Sequence, residues 1–311
     1  MTEEPNGELQ GGLSDLEYCC PVPSSEKVPS AIARVQTLRS DGSGARRENV
    51  VVEEPLEIRI NRGTTETTLA VTMRTPGSDL ELAAGFLWGE GIVRSPEQLL
   101  GVKVCGDRTL TPRQRANVVI ASLSPRAAEV ARNLERRFTI SSACGVCGST
   151  SLNDLHERGT SRVVSTSHDA ATLAAMTALL DDRQKIFAST GGLHAAALVD
   201  LNGVLHFLRE DVGRHNAVDK AIGAALVAGK LPLSGWTLVV SGRVGYEIAQ
   251  KAVAAGISAL VGVSAPTSLA VELAREFGLT LLAFARGGVA NQYAPIADDQ
   301  EDQEGIEGAE S

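Results

Sequence analysis

Three observations predict an α/β fold for the second half of the chain, with a smaller α+β part before it. From about residue 160 onward, helical and extended stretches alternate. The extended stretches "WTLVV" (236–240), "SALVGVS" (258–264) and "LTLLAFA" (279–285) are almost wholly apolar, as strands covered on both faces are. Segments of helical periodicity separate them, which predicts three layers with helices over a largely parallel part of the sheet.

The elements follow in order. Within residues 30–140, "VVEEPLEIRI" (51–60) and "TLAVTMRT" (68–75) alternate apolar with polar residues and predict strands. "SDLELAAGFLWGEGIV" (78–93) predicts a helix capped by Ser78 or Asp79 and ended by Gly89 and Gly91. Residues 141–160 read as a loop carrying a CxxC. Within residues 161–297, "DAATLAAMTALLDD" (169–182) predicts one helix, and "LHAAALVDL" (193–201) and "VLHFLRED" (204–211) predict a strand pair. Asn202-Gly203 joins that pair, a dipeptide suited to a tight hairpin turn. Helices then alternate with the three apolar strands, and no internal repeat is present.

Charge separates the ends from the middle. Net charge is −9 over 311 residues, but residues 1–29 carry −5 and residues 298–311 carry −7, so the middle stands at +3. Both tails are rich in Gly, Pro, Ser, Glu or Gln and poor in apolar residues, the composition of solvated, disordered segments. The acidic N-terminus has no apolar run, and the most apolar stretches, such as 252–263, are shorter than a membrane span. A cytoplasmic protein is expected, acting on neither membrane nor nucleic acid.

Five cysteines, of which Cys19 and Cys20 are adjacent and Cys105 stands alone, make a poor disulfide framework for a chain of this length. That favours a chemical role for "FTISSACGVCGSTS" (138–151). A structural zinc needs four ligands, usually from two such knuckles, and only one is present. A thioredoxin-like couple needs the CxxC at the start of a helix, whereas "GSTSLNDLHERGTS" reads as a loop; a dithiol switch stays open. A zinc deaminase combines H-x-E with P-C-x-x-C. Here Ala196 follows His194 where the Glu belongs, Ala143 replaces the Pro, and the CxxC precedes the histidine. What remains is a nucleophilic thiolate on a glycine-flanked loop, able to take sulfur from a donor persulfide and present it to an acceptor.

A bulky anionic ligand is indicated separately. Gly213 and Gly242 each precede an arginine, Arg214 and Arg243, at predicted helix starts, where free N–H groups suit a pyrophosphate. Arg286 follows the last apolar strand, at the carboxyl edge where α/β sheets bind ligands. Gly192 and Gly242 read equally well as turns, His206 as structural, and His156 and His168 as solvated.

Taken together, "SSACGVCG", "STGGLHAAAL", "EDVGRHNAVDKAIG", "SGRVGYEIAQKA", "SAPTSLAVELA" and "FARGGVANQY", in order from 141 to 293, resemble the FdhD family of formate dehydrogenase accessory sulfurtransferases. "EEPLEIRIN" and "MRTPGSDLELAAGFLWGEGIV" extend the resemblance to nearly everything except the tails. It implies a cytidine-deaminase-like C-terminal domain, a homodimer, and persulfide sulfur received from a cysteine desulfurase. That sulfur would pass to the molybdenum (or tungsten) bis(molybdopterin guanine dinucleotide) cofactor needed by formate dehydrogenase, with no permanently bound cofactor or zinc. By position it makes Cys144 the persulfide carrier and Cys147 its assistant. The cofactor-binding stretch maps onto Phe284, Ala285, Arg286, Gly287, Gly288 and Val289, with His194, Arg214, His215, Lys220 and Arg243 as further candidates. Two positions depart from the family pattern: Val289 stands where a basic residue is frequent, and Gly245 where a hydroxyl residue is. The alternative is a chaperone that binds the guanine dinucleotide, its CxxC serving as a redox or metal latch.

Overall fold

Six strands form the central sheet: β7 (His194–Val199), β8 (Leu205–Asp211), β9 (Thr237–Val240), β10 (Ala259–Gly262), β11 (Thr280–Arg286) and β12 (Val289–Ala294). Their order is β12-β11-β10-β9-β7-β8. The three apolar strands β9, β10 and β11 run parallel, and β12, β7 and β8 add antiparallel at the two sides. This computed structural model describes residues 30–38, 40, 45–62, 65–138, 155, 156, 159–181 and 183–295.

The alternation of side chains explains why these strands are apolar throughout. Ala196, Leu198, Leu238, Val240 and Leu260 pack in one cluster with α7 (Arg214–Val227), α8 (Tyr246–Ala254) and α9 (Ser268–Phe277). Ala195, Ala197, Val199, Val239 and Val261 pack in another with Leu173, Met176 and Leu180. Both faces are therefore covered, as the sequence pattern predicts.

The stretch 169–182 does not form one helix. It folds as α4 (Ala170–Ala175) and α5 (Ala178–Asp181), because the N–H groups of Met176 and Thr177 reach back three residues to Leu173 and Ala174, and the Thr177 hydroxyl also donates to the Ala174 carbonyl. A further short helix, α6 (Lys185–Thr190), ends at Gly191 in the left-handed conformation.

Ahead of this lie two smaller sheets. β1 (Ile32–Leu38) and β2 (Ala45–Val51) form an antiparallel ribbon. β3 (Glu54–Arg62), β4 (Thr65–Arg74), β5 (Leu99–Val104) and β6 (Val118–Leu123) form a sheet of order β4-β3-β6-β5. The stretch 51–60, expected to be one strand, thus divides between two sheets at residues 52 and 53. Helix α1 (Asp79–Gly89) has Ser78 at its N-cap, as expected, although without a side-chain cap bond. Its first turn is held by Asp79, which accepts from fully buried Arg74 at 2.9 Å. Helices α2 (Pro112–Ala116) and α3 (Pro125–Phe138) complete this part.

The two parts of the chain meet where α1 crosses α7, and the contact is between backbones. A Cβ on Gly85 would lie 1.9 Å from the Asp219 carbonyl oxygen, and one on Gly223 would lie 1.9 Å from that of Glu81. Glycine at both positions lets the axes approach more closely than any side chain permits. Gly223→Ala is expected to cost about 3 kcal/mol or more, since only a shift of a whole helix relieves the clash. Gly101→Ala, where nothing lies within 4 Å, should change stability by less than about 0.5 kcal/mol. Urea unfolding of the two variants checks this; equal midpoints would refute it.

Candidate functional site

At the carboxyl ends of β9, β10 and β11 the chain leaves the sheet through Ser241, Val263 and Arg286, and a cleft of about 890 Å³ opens there. α4, α5 and α6, with the residues that join and end them, supply another part of its wall through Ala175, Thr177, Asp181, Phe187 and Gly191. This is the edge at which open α/β sheets hold ligands. Among the described residues, no helix is long and apolar enough to cross a membrane.

Five of the expected residues line the cleft: His194, Ala285, Arg286, Gly287 and Gly288. Gly287 and Gly288 turn β11 into β12 with φ of 59° and 78°, two successive left-handed residues that glycine adopts without strain. Just before them Phe284 has φ 53° and a half-exposed ring, while its N–H donates to the Ser264 carbonyl at 3.3 Å. A non-glycine residue held this way costs on the order of 1–3 kcal/mol, a conformation that clusters at ligand sites. Val289 begins the return strand and is 71% exposed.

His194, at the start of β7, stands beside Gly242 and Arg214. A Cβ on Gly242 would come within 3.2 Å of the His194 Nδ1 and 3.7 Å of the Arg214 Cβ, so Gly242 makes room for both side chains. Gly192 does the same for Val51, at 3.2 Å from that side chain. Burial, and then the neighbouring Arg214 and Arg243, hold the His194 imidazole below its ordinary range against the pull of Asp211. At neutral pH it is an uncharged hydrogen-bonding group.

Arg214 opens α7 directly after the Gly213 N-cap, as expected, and its Nε is buried with no hydrogen-bond partner among the described residues. Arg243 does not begin a helix. Val244 pairs as a β-bridge with Pro266 and donates to the Ala265 carbonyl at 3.0 Å, so the chain stays extended and α8 starts only at Tyr246. Arg243 is exposed at the start of that extended segment. His215 points between helices, with Nε2 3.7 Å from a Glu247 carboxylate oxygen. Burial, with Arg214 and Lys251 nearby, lowers its pKa to about 4.

Lys220 departs from the expected cleft residues. It is 2% exposed, pairs with Asp211 at 2.7 Å and donates to the Thr75 carbonyl at 2.8 Å. Asp211 also accepts from the N–H groups of Thr75 and Gly213. Every bond Lys220 makes is inside the protein, because α7 turns that side toward the α1 layer. His206, read as structural, accordingly pairs with Asp200 at 2.8 Å against Trp236.

Cys144 and Cys147 lie outside the described residues. On the far side of that segment Leu155 is fully buried, and His156 stacks on Phe277 with its Nε2 3.0 Å from Glu276. Sequence reasoning missed Asp181, Thr177 and Ser241 in the cleft wall; Ser241 accepts from the Ala195 N–H at 2.9 Å. Only "SGR" (241–243), quoted within a longer motif, pointed at any of them. It also missed the buried pair of Lys251 and Asp219, 2.8 Å apart, in which burial pushes the Asp219 carboxyl up to about 6.

With this geometry in view, the comparisons with known proteins are specific. The model of the FdhD/NarQ family matches residues 51–297. A protein of Mycobacterium tuberculosis named "Sulfur carrier protein FdhD" is 46% identical over 271 residues, covering 85% of this chain and 96% of its own. A protein of the same name from Mycolicibacterium paratuberculosis is 47% identical over 264 residues, covering 84% and 95%. The crystal structure of a protein described as a formate dehydrogenase accessory protein, from Desulfotalea psychrophila, superposes with a TM-score of 0.65 over 85% of this chain and 96% of that one. At 22% identity it supports the fold alone.

Proposed function

This chain belongs to the FdhD/NarQ family, and from that premise we propose that it is a sulfur carrier protein accessory to formate dehydrogenase, working through a persulfide on Cys144. The observation that carries the reading is that one family match, 51–297, spans both the CxxC and the cleft built from Arg286, Gly287, Gly288 and His194. The Cys144 thiolate attacks the terminal sulfur of a cysteine desulfurase persulfide. The donor's S–S bond breaks, the donor leaves as a thiolate with the electron pair, and Cys144 becomes the persulfide. Its outer sulfur is then released as hydrosulfide to bis(molybdopterin guanine dinucleotide) bound as substrate, molybdenum or tungsten being its metal, when a thiolate, of Cys147 or of an external thiol, attacks the inner sulfur, breaks the S–S bond and leaves Cys144 in a disulfide.

The chain's residues fit such a substrate. Arg214, Arg243 and Arg286 offer cations for pyrophosphate, Gly287 and Gly288 let the backbone come close, and the exposed Phe284 ring offers an apolar face. The uncharged His194 donates or accepts a hydrogen bond without adding charge. The strand order of the central sheet supports a cytidine-deaminase-like C-terminal domain, and a cytoplasmic homodimer belongs to the same reading.

A second reading is a cofactor-binding chaperone, favoured by a cleft whose described lining contains no cysteine. Mass spectrometry after incubation with a cysteine desulfurase and cysteine separates the two. The carrier is expected to gain one sulfur, about 32 Da, on the peptide holding Cys144. No gain on any cysteine would leave the chaperone.

A further inference from the structure

We infer that the β1–β2 ribbon is a phosphate-binding arm of the cleft, with Arg34 and Arg47 supplying cationic contacts to the diphosphate of a guanine nucleotide. The inference rests on the cleft reading above and adds to it a part of the chain that the family match, beginning at residue 51, does not include.

The ribbon is fixed to the cleft wall at its base. Val51, its last residue, sits against Gly192, and α6, which ends at Gly191, packs on β2. Gly191 and Gly192 line the cleft, so the ribbon's base forms the outer side of that wall.

Register then decides which side chains accompany Val51. Residues directly opposite in an antiparallel pair share a face, and every second residue along each strand does too. The pairs Ile32–Val51, Arg34–Asn49 and Gln36–Arg47 therefore lie on one face, and Ala33–Val50, Val35–Glu48 and Thr37–Arg46 on the other.

Charge divides along the same line. On the far face Arg46 is paired with Glu48. The face shared with Val51 carries Arg34, Gln36, Arg47 and Asn49, with no acid among them, and both arginines are exposed. The described lining of the cleft holds one acid, Asp181, against one arginine, Arg286, and the pKa of His194 is lowered. A diphosphate there needs cations from the rim: Arg214 and Arg243 stand on the His194 side, and the ribbon adds two on the Gly192 side. Arginine suits the task because its planar fork binds phosphate oxygens in pairs.

Calorimetric titration of the full chain with GDP and with guanosine tests this. The Arg34→Ala/Arg47→Ala double variant is expected to bind GDP roughly tenfold or more weakly and guanosine unchanged, since only the phosphates are addressed. Arg46→Ala, on the opposite face, should leave GDP affinity unchanged. Unaltered GDP affinity in the double variant, while Arg286→Ala weakens it, overturns the arm and keeps the cleft reading. Wild-type protein that fails to bind GDP overturns both. Equal loss of GDP and guanosine affinity would show the ribbon holding the cleft's shape and would also overturn the phosphate role.

Discussion

In a Cys144→Ala variant, incubation with a cysteine desulfurase and cysteine is expected to leave the protein mass unchanged and the recipient formate dehydrogenase inactive. Cys147→Ala is expected to gain the sulfur and to lose only part of the activation. One persulfide suffices for each transfer, so the two thiols need not be equivalent. The chemistry of the second thiol also separates them. Attack by the Cys147 thiolate on the inner sulfur of the Cys144 persulfide forms an internal disulfide and expels hydrosulfide, the sulfane sulfur taking the two electrons that the thiols lose. Cys147 is thus as able to discard the cargo as to assist its delivery. Removing it should slow that loss, and the persulfide on Cys147→Ala should persist longer than on the wild type when no acceptor is present. Loading on Cys147 in the Cys144→Ala variant, with activation preserved, would reverse the roles.

Lys220→Met is expected to cost about 3–5 kcal/mol of stability, the loss typical when one partner of a buried ion pair is removed and the other charge stays behind. Asp211, fully buried, would keep its backbone donors from Thr75 and Gly213 but lose its only counter-charge among the described residues. A Lys220→Met/Asp211→Asn double variant should recover part of the loss, because the amide needs no counter-ion and its single oxygen still accepts from one of the two N–H groups, which donate to different carboxylate oxygens of Asp211. Thermal and denaturant unfolding measure both. If Lys220→Met keeps wild-type stability and instead loses GDP affinity, the lysine serves the ligand and the structural assignment fails.

The case of Lys220 shows where the sequence is legible and where it is not. "GRHNAVDKAIG" marked a helix start and several polar residues of one motif, but not which side of the helix each would take. Arg214 lies beside His194, whereas Lys220, six residues on, faces the α1 layer. Facing depends on a partner 145 residues away in the chain, and no local pattern encodes that. The strands β7, β9, β10 and β11 were readable because burial on two faces makes their composition uniform, and the edge strand β8 through the Asn202-Gly203 turn that leads into it. α2, α3, α6 and the sheet strands β5 and β6 were missed; β5 leaves Leu100 and Val104 exposed and gives no clean alternation. The ribbon β1–β2 was missed for a related reason: its faces alternate arginine with small and apolar residues, and it contributes little to a core. In the cleft, the arginines and glycines announced themselves through their types, while Asp181 and Thr177 arrive only because the helix 169–182 breaks in two.

The crossing of α1 over α7 through Gly85 and Gly223 bears on how the protein is made. Glu81 of α1 meets Arg209, 128 residues later, and Trp88 donates to the carbonyl of Ala254, 166 residues later. During synthesis at about 5–20 residues per second, the apolar side of α1 therefore waits roughly 6–30 seconds for the segments that cover it. Through that interval Ala84, Leu87 and Trp88, which share a core cluster with Val218, Ala221 and Ile222 in the finished protein, lack those native neighbours, whereas Leu82 packs on the N-terminal sheet. Final closure of the structure is set by the arrival of residues 214–254 and not by the N-terminal sheet, in line with the slow folding of topologies dominated by distant contacts.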